Sequence, residues 1–183
     1  MNSFLHTCLK LCAALALLAA AAGCAPGQRA DTAVKVGDLA PDFGRMTYDA
    51  TPVSLSALRG THFVVLYFYP KDDTPGCTAE ACAFRDSYAA FTNVNAVVIG
   101  VSGDPDASHR AFVEKHRLPF LLVSDRDGGL RAAYGVPAVS GMPGRVTYVI
   151  DRRGIVRHVF ASQAAAAMHA QNALDVVREL ARE

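Results

Sequence analysis

The chain has 183 residues, 51% of them hydrophobic, and 18 basic side chains against 17 acidic ones leave a formal net charge of +1. That length suits one domain with a full core, and a near-neutral balance without a dense Lys/Arg run excludes a nucleic-acid footprint. Of the five cysteines, Cys8, Cys12 and Cys24 precede residue 25, so the folded part keeps only Cys77 and Cys82, too few for a disulfide-built scaffold.

Residues 1–24 read as an export signal. Lys10 and the amino terminus supply weak positive charge, and the uncharged run Leu11 to Ala22 is too short to span a bilayer comfortably. Its end, Ala21-Ala22-Gly23-Cys24, resembles the bacterial lipoprotein cleavage box, with Ala21 where that box prefers Leu. The resemblance implies a lipidated Cys24 as the new N-terminus; a plain signal cut at a small residue is the alternative. Residues 25–34 are small and polar and read as a flexible tether, leaving 35–183 as the folded domain.

Within that domain, Met46 to Leu55 reads as a hairpin, and Ser54 to Gly60 as one helical turn. Phe63 to Tyr69 is apolar on both faces, as a covered central strand should be. Thr78 to Thr92 reads as a helix, Ala96 to Ser102 as a second buried strand, and Asp106 to His116 as a helix capped by Asp104 or Asp106. Phe120 to Ser124 follows as a strand, Gly128 to Tyr134 as a short helix, and Gly135 to Gly144 as a loop. Arg145 to Ile150 and Ile155 to Phe160 form a strand pair, and Ala164 to Arg182 a closing helix. This alternation predicts an α/β, thioredoxin-like fold: a central, mainly parallel sheet with an antiparallel C-terminal hairpin and helices on both faces.

Cys77 stands where a strand and a short loop deliver a thiol to a helix start. Only a few per cent of an ordinary thiol is thiolate at neutral pH, and unpaired N–H groups at a helix N-terminus favour an anion there. Pro75 suits the first helical turn, and Gly76 allows close backbone approach. Arg145 is the candidate cation. In a parallel α/β sheet the loops at the strand ends converge, which would bring it to Cys77. Asp72 and Asp73 read as loop solvation and turn chemistry, with side chains pointing away from the thiol.

The run Pro70-Lys-Asp-Asp-Thr74-Pro-Gly-Cys77 has the peroxiredoxin pattern Pro-x-x-x-Thr-x-x-Cys. With Phe68-Tyr69, Thr78, Glu80-Ala81-Cys82 and Phe84-Arg85-Asp86 it resembles the bacterioferritin-comigratory, or Q-type, subgroup of the AhpC/TSA family. Ala40-Pro41-Asp42-Phe43 resembles that subgroup's opening and Arg145-Val-Thr-Tyr-Val-Ile-Asp151 its arginine motif, so the likeness runs over roughly 35–182. The resemblance implies a thioredoxin-dependent type of peroxidase acting on hydrogen peroxide and organic hydroperoxides, a mostly monomeric protein needing no cofactor and no metal. It implies a peroxidatic Cys77 that becomes a sulfenic acid, Thr74 bonding the peroxide, Arg145 holding the thiolate and developing charge, Pro70 excluding water, and Glu80 orienting Arg145. Taken singly, Pro70 reads as a strand end, Thr74 as a helix cap, Glu80 as helix-start electrostatics and Arg145 as a surface residue.

Cys82 follows Cys77 by five residues. On an intact helix that spacing gives a rise of about 7.5 Å and side chains about 140° apart, beyond the reach of a disulfide. If Cys82 is the resolving cysteine, as spacing and resemblance together suggest, the helix start must unwind to form the intramolecular disulfide; otherwise Cys82 is a small buried hydrophobe. Two other classes remain. A thiol–disulfide oxidoreductase needs Cys-x-x-Cys, which this chain lacks. A copper-binding lipoprotein needs two thiolates and a histidine, and His158 and His169 fall in no ligand motif, while His62, His109 and His116 read as structural or solvated. The expected partners are a hydroperoxide and a periplasmic thioredoxin-like reductant, with no nucleic acid and no membrane contact beyond a lipid anchor.

Overall fold

The computed structural model describes residues 33–183. The expected signal at 1–24, its Cys24, and tether positions 25–32 lie outside the described residues.

The domain opens with a hairpin, β1 (Gly44–Met46) and β2 (Pro52–Ser54), followed by α1 (Leu55–Leu58). The Ser54 hydroxyl caps that turn, accepting from the Ala57 N–H at 3.2 Å. Then come β3 (Phe63–Phe68), α2 (Pro75–Asp86), α3 (Tyr88–Thr92), β4 (Ala96–Ser102), α4 (Asp106–His116), β5 (Leu121–Ser124) and α5 (Gly129–Tyr134). The expected loop at 135–144 holds a small hairpin, β6 (Ala138–Val139) and β7 (Met142–Pro143). β8 (Val146–Ile150), β9 (Val156–Ala161) and α6 (Met168–Leu180) complete the chain.

The main sheet has the order β5-β4-β3-β8-β9, with β3, β4 and β5 parallel and the β8–β9 hairpin joined antiparallel to β3. All six residues of β3 are buried, as its unbroken apolar run requires of a strand covered on both sides. Side chains alternate across the sheet. Phe63, Val65, Tyr67 and Tyr69 enter a core shared with α2, α3, α4 and α6, whereas Val64, Leu66 and Phe68 enter one shared with α1 and α5. The thioredoxin-like α/β arrangement is thus present, with β3 at its centre.

Two expectations change. The helix read as Thr78 to Thr92 begins at Pro75 and divides at Ser87 into α2 and α3. Pro75 has no N–H to lose at the first helical position and its fixed φ favours an earlier start. Neither Asp104 nor Asp106 caps α4; its N-cap is Pro105, without a side-chain bond. Asp104 instead accepts the Ser102 hydroxyl at 2.7 Å and the backbone N–H of Asp72 at 2.9 Å.

Candidate active site

The site is built at the end of β3. Tyr69 still donates to the Val101 carbonyl at 3.1 Å, and Pro70, lacking an N–H, ends the ladder. Thr74 is the N-cap residue of α2 (φ −82°, ψ 149°), yet its side chain makes no capping bond. Its hydroxyl donates to the Lys71 carbonyl at 3.1 Å, while helical bonding starts with Thr78 N–H on the Thr74 carbonyl at 2.8 Å. The oxygen of Thr74 is therefore not spent on the helix. Cys77 follows as the third helical residue and is 1% exposed.

Arg145 reaches that sulfur, but not by the route expected. Its strand runs antiparallel to β3, with Val146 opposite Phe68, so the start of β8 lies beside the end of β3. Parallel strands would have placed the two at opposite edges of the sheet. Arg145 Nη2 lies 3.4 Å from Cys77 Sγ, and its Nη1 donates to Glu80 Oε2. A Cβ at position 76 would stand 3.2 Å from Arg145 Nη2, so Gly76 leaves the guanidinium its path. The arrangement places a fixed cation and an N–H donor on a sulfur at a helix N-terminus, which stabilises a thiolate and any negative charge developing beside it.

Glu80 is fully buried one turn after Cys77. Burial pushes its carboxyl up to about 8 against the pull of the Arg145 charge and hydrogen bond. Oε1 of this carboxyl has no hydrogen-bond partner among the described residues. It faces His169 Nδ1 at 3.5 Å.

In the sequence, His169 was weighed only as a copper ligand and Thr147 was carried only as a member of the arginine motif; neither was given a role in this site. Thr147 could have been, because it lies two residues after Arg145 and so shares its face of β8. His169 carries only a weak signal: it leads the buried row Ala173, Val177 at helical spacing on α6. Its ring is held on three sides. Nδ1 lies 2.8 Å from the Thr147 hydroxyl, Nε2 lies 3.0 Å from the Ser162 carbonyl, and Phe160 packs edge-on with ring centroids 4.6 Å apart.

The loop before Cys77 is also tied down, contrary to the reading of Asp72 as solvated. Asp72 is 6% exposed and accepts from the Tyr69 hydroxyl at 2.7 Å and the Ser108 hydroxyl at 2.7 Å, with His109 Nδ1 at 2.9 Å. Asp73 takes a left-handed backbone (φ 57°) and pairs with Lys115 Nζ and His116 Nε2, each at 2.8 Å. Both carboxylates are committed to α4, as expected away from the thiol, and His109 and His116 hold the loop. Cys82, half-buried with its thiol free, sits in the middle of the unbroken helix α2, beside Arg85.

Comparison with known proteins agrees with this geometry. The AhpC/TSA family model matches residues 36–159. The chloroplastic peroxiredoxin Q of Triticum aestivum is 46% identical over 149 residues, covering 80% of this chain and 68% of the relative. The crystal structure of peroxidoxin BcpB from Mycobacterium tuberculosis superposes with a TM-score of 0.74 at 38% identity, over 80% of this chain and 98% of that one. The bacterioferritin comigratory protein of Xanthomonas campestris gives 0.72 at 30% identity, over 81% and 98%. The chain belongs to the AhpC/TSA family, as a Q-type peroxiredoxin, and is a thiol-dependent peroxidase.

Proposed function

We propose that Cys77 is the peroxidatic residue. Its thiolate attacks the terminal oxygen of a hydroperoxide; an S–O bond forms, the O–O bond breaks, and the departing oxygen leaves as water or an alcohol after taking one proton. Arg145 holds the sulfur and the growing negative charge, Glu80 holds Arg145, the Thr74 hydroxyl receives the peroxide, and Pro70 closes the loop side against water. The observation that carries this reading is the 3.4 Å contact of Arg145 Nη2 with the sulfur of a nearly inaccessible cysteine at a helix start. The Xanthomonas relative is described as reducing alkyl peroxides, which supports organic hydroperoxides as substrates beside hydrogen peroxide.

Cys82 then resolves the sulfenic acid as an intramolecular disulfide. Because α2 runs unbroken through both cysteines, that bond requires its first turns to unwind. Peroxide consumption by the wild type, Cys77→Ser and Cys82→Ser, with the mass of each product, tests the assignment. Cys77→Ser is inactive, and Cys82→Ser reacts once and stalls as sulfenic acid; normal turnover by Cys77→Ser sinks it. Amide exchange over residues 77–86 that is equal in reduced and oxidised protein sinks the unwinding step.

The same proposal places the enzyme outside the cytoplasm, as a periplasmic lipoprotein anchored through Cys24 and re-reduced by a periplasmic thioredoxin-type protein. The uncharged run and small-residue box of residues 1–24 support it, as does a family match that begins only at residue 36. The plant relatives carry the name chloroplastic. Fractionation of cells with Cys24→Ala as the comparison tests this: the wild type partitions with membranes, and the variant is released.

A further inference from the structure

The buried site holds one guanidinium between two groups that can each become anionic, Cys77 and Glu80. One cation can neutralise only one of them, and an unbalanced buried charge is costly. The second oxygen of Glu80 adds a specific clue. The Ser162 carbonyl can only accept, so His169 Nε2 is the protonated nitrogen and Nδ1 carries the lone pair. That lone pair takes the Thr147 hydroxyl and is turned toward Glu80 Oε1 at 3.5 Å. An ionised Oε1 would face this already occupied lone pair with no donor, fully buried; a proton on Oε1 removes the uncompensated negative charge from that contact.

We infer that, in the reduced enzyme, Glu80 carries a proton on Oε1, the oxygen on the side of His169, and that it gives this proton up in the turnover that oxidises Cys77. The inference rests on the peroxidatic reading of Cys77. Before reaction the charges are thiolate, guanidinium and neutral carboxyl; afterwards they are neutral sulfur, guanidinium and carboxylate. The buried site is balanced in both states. The peroxide gains two electrons from sulfur, and the proton taken by the departing oxygen is matched by the one Glu80 releases. His169 acts through Glu80 and is a positioning residue.

The surroundings agree. Burial pushes Glu80 to about 8 against Arg145. Burial also holds His169 down to about 4, with the Ser162 carbonyl opposing and Arg145 reinforcing, so the imidazole does not compete for the proton. The other ionisable group facing the carboxyl is Tyr67 on β3; burial first, and then Glu80, drives its hydroxyl far above its usual range, so it stays neutral.

Proton counting tests the inference. Closing the disulfide from a Cys77 thiolate and a Cys82 thiol with one hydrogen peroxide yields two waters and requires one proton. At about pH 7, where a free thiol is mostly protonated, the wild type in weak buffer with an indicator dye takes up close to none from solution, because Glu80 supplies it. Glu80→Gln, its thiolate fraction read from ultraviolet absorbance, takes up one per disulfide. Oxidised-minus-reduced infrared difference spectra show loss of a protonated-carboxyl band in the wild type. That band is missing in Glu80→Gln and displaced in His169→Phe. Uptake of a full proton by the wild type, absence of the band, or a band unmoved by His169→Phe overturns the inference while Cys77 is still oxidised. A Cys77 that peroxide leaves unmodified instead overturns the peroxidatic reading.

Discussion

Cys77 and Cys82 lie on one helix, each beside an arginine, and differ in what holds that arginine. The Arg145 side chain is 4% exposed and is fixed by Glu80, itself backed by His169 and Thr147 from two other elements. The Arg85 side chain is 34% exposed, donates to the His116 carbonyl at 2.9 Å, and pairs with the exposed Asp86 on its own helix. A guanidinium in a dry, pre-set position stabilises developing charge far more than one shared with water. The contrast suits the first cysteine to a step in which charge must be held. It suits the second to a step in which the helix lets go.

The sharpest way to break that contrast is to neutralise each arginine in turn. Arg145→Met slows oxidation of Cys77 by about 10²–10³-fold, the usual loss for a pre-set charge-stabilising donor. Arg85→Met leaves that step unchanged. Stopped-flow oxidation of each variant in a Cys82→Ser background decides it; equal losses would show that burial of the arginine is irrelevant.

The support beneath Cys77 gives the next effect. Asp72→Ala leaves the Tyr69, Ser108 and His109 groups without their acceptor, so we expect a loss of about 1–3 kcal/mol in urea unfolding and a lower kcat/KM from a loosened loop. Burial acts to raise the Asp72 carboxyl, but the bonds from His109, Tyr69 and Ser108 outweigh it and hold it below 3.8. A carboxyl lowered on folding adds stability that is present above its unfolded value and lost as pH falls through its folded one. The Asp72 contribution therefore disappears only in acid below that value.

Glu80 behaves oppositely, which sharpens the comparison further. Its folded value is raised from 4.5 to about 8, so the folded state binds more protons across that range and stability falls as pH rises through it. His169, lowered from 6.5 to about 4, opposes this slope below 6.5. Above 6.5 His169 no longer opposes it, and the Glu80 contribution continues to about 8. Glu80→Gln removes a proton bound only in the folded state, so over that interval the melting temperature of the reduced variant changes with pH more positively than that of the wild type; an equal slope would refute the assignment. The smallest effect belongs to Lys115→Ala, which cuts an exposed pair with Asp73 and leaves melting and turnover unchanged within error.

Local chemistry made much of this legible in the sequence. Ala96 to Ser102 and Asp106 to His116 are one strand and one helix with the bounds their patterns predict, because a β-branched run and an amphipathic stretch each carry their own period. The run from Pro70 to Cys77 announced a thiol at a helix start because strand end, loop and first turn are consecutive. Asp72 was misread because an Asp in a loop resembles solvation until α4 is seen to cover it.

The sequence by itself determined that a cysteine stands at a helix start, and the spacing that makes a Cys77–Cys82 bond incompatible with an intact helix. These depend on neighbours within a few residues. Tertiary structure alone decided how Arg145 reaches the sulfur, through a strand that runs antiparallel rather than parallel to β3, and that His169 stands behind Glu80. Charge balance in a buried site is a property of side chains gathered from distant segments. No local pattern records which of them share one cation, and so where the proton of this site resides was readable only once α2, β8 and α6 had been brought together.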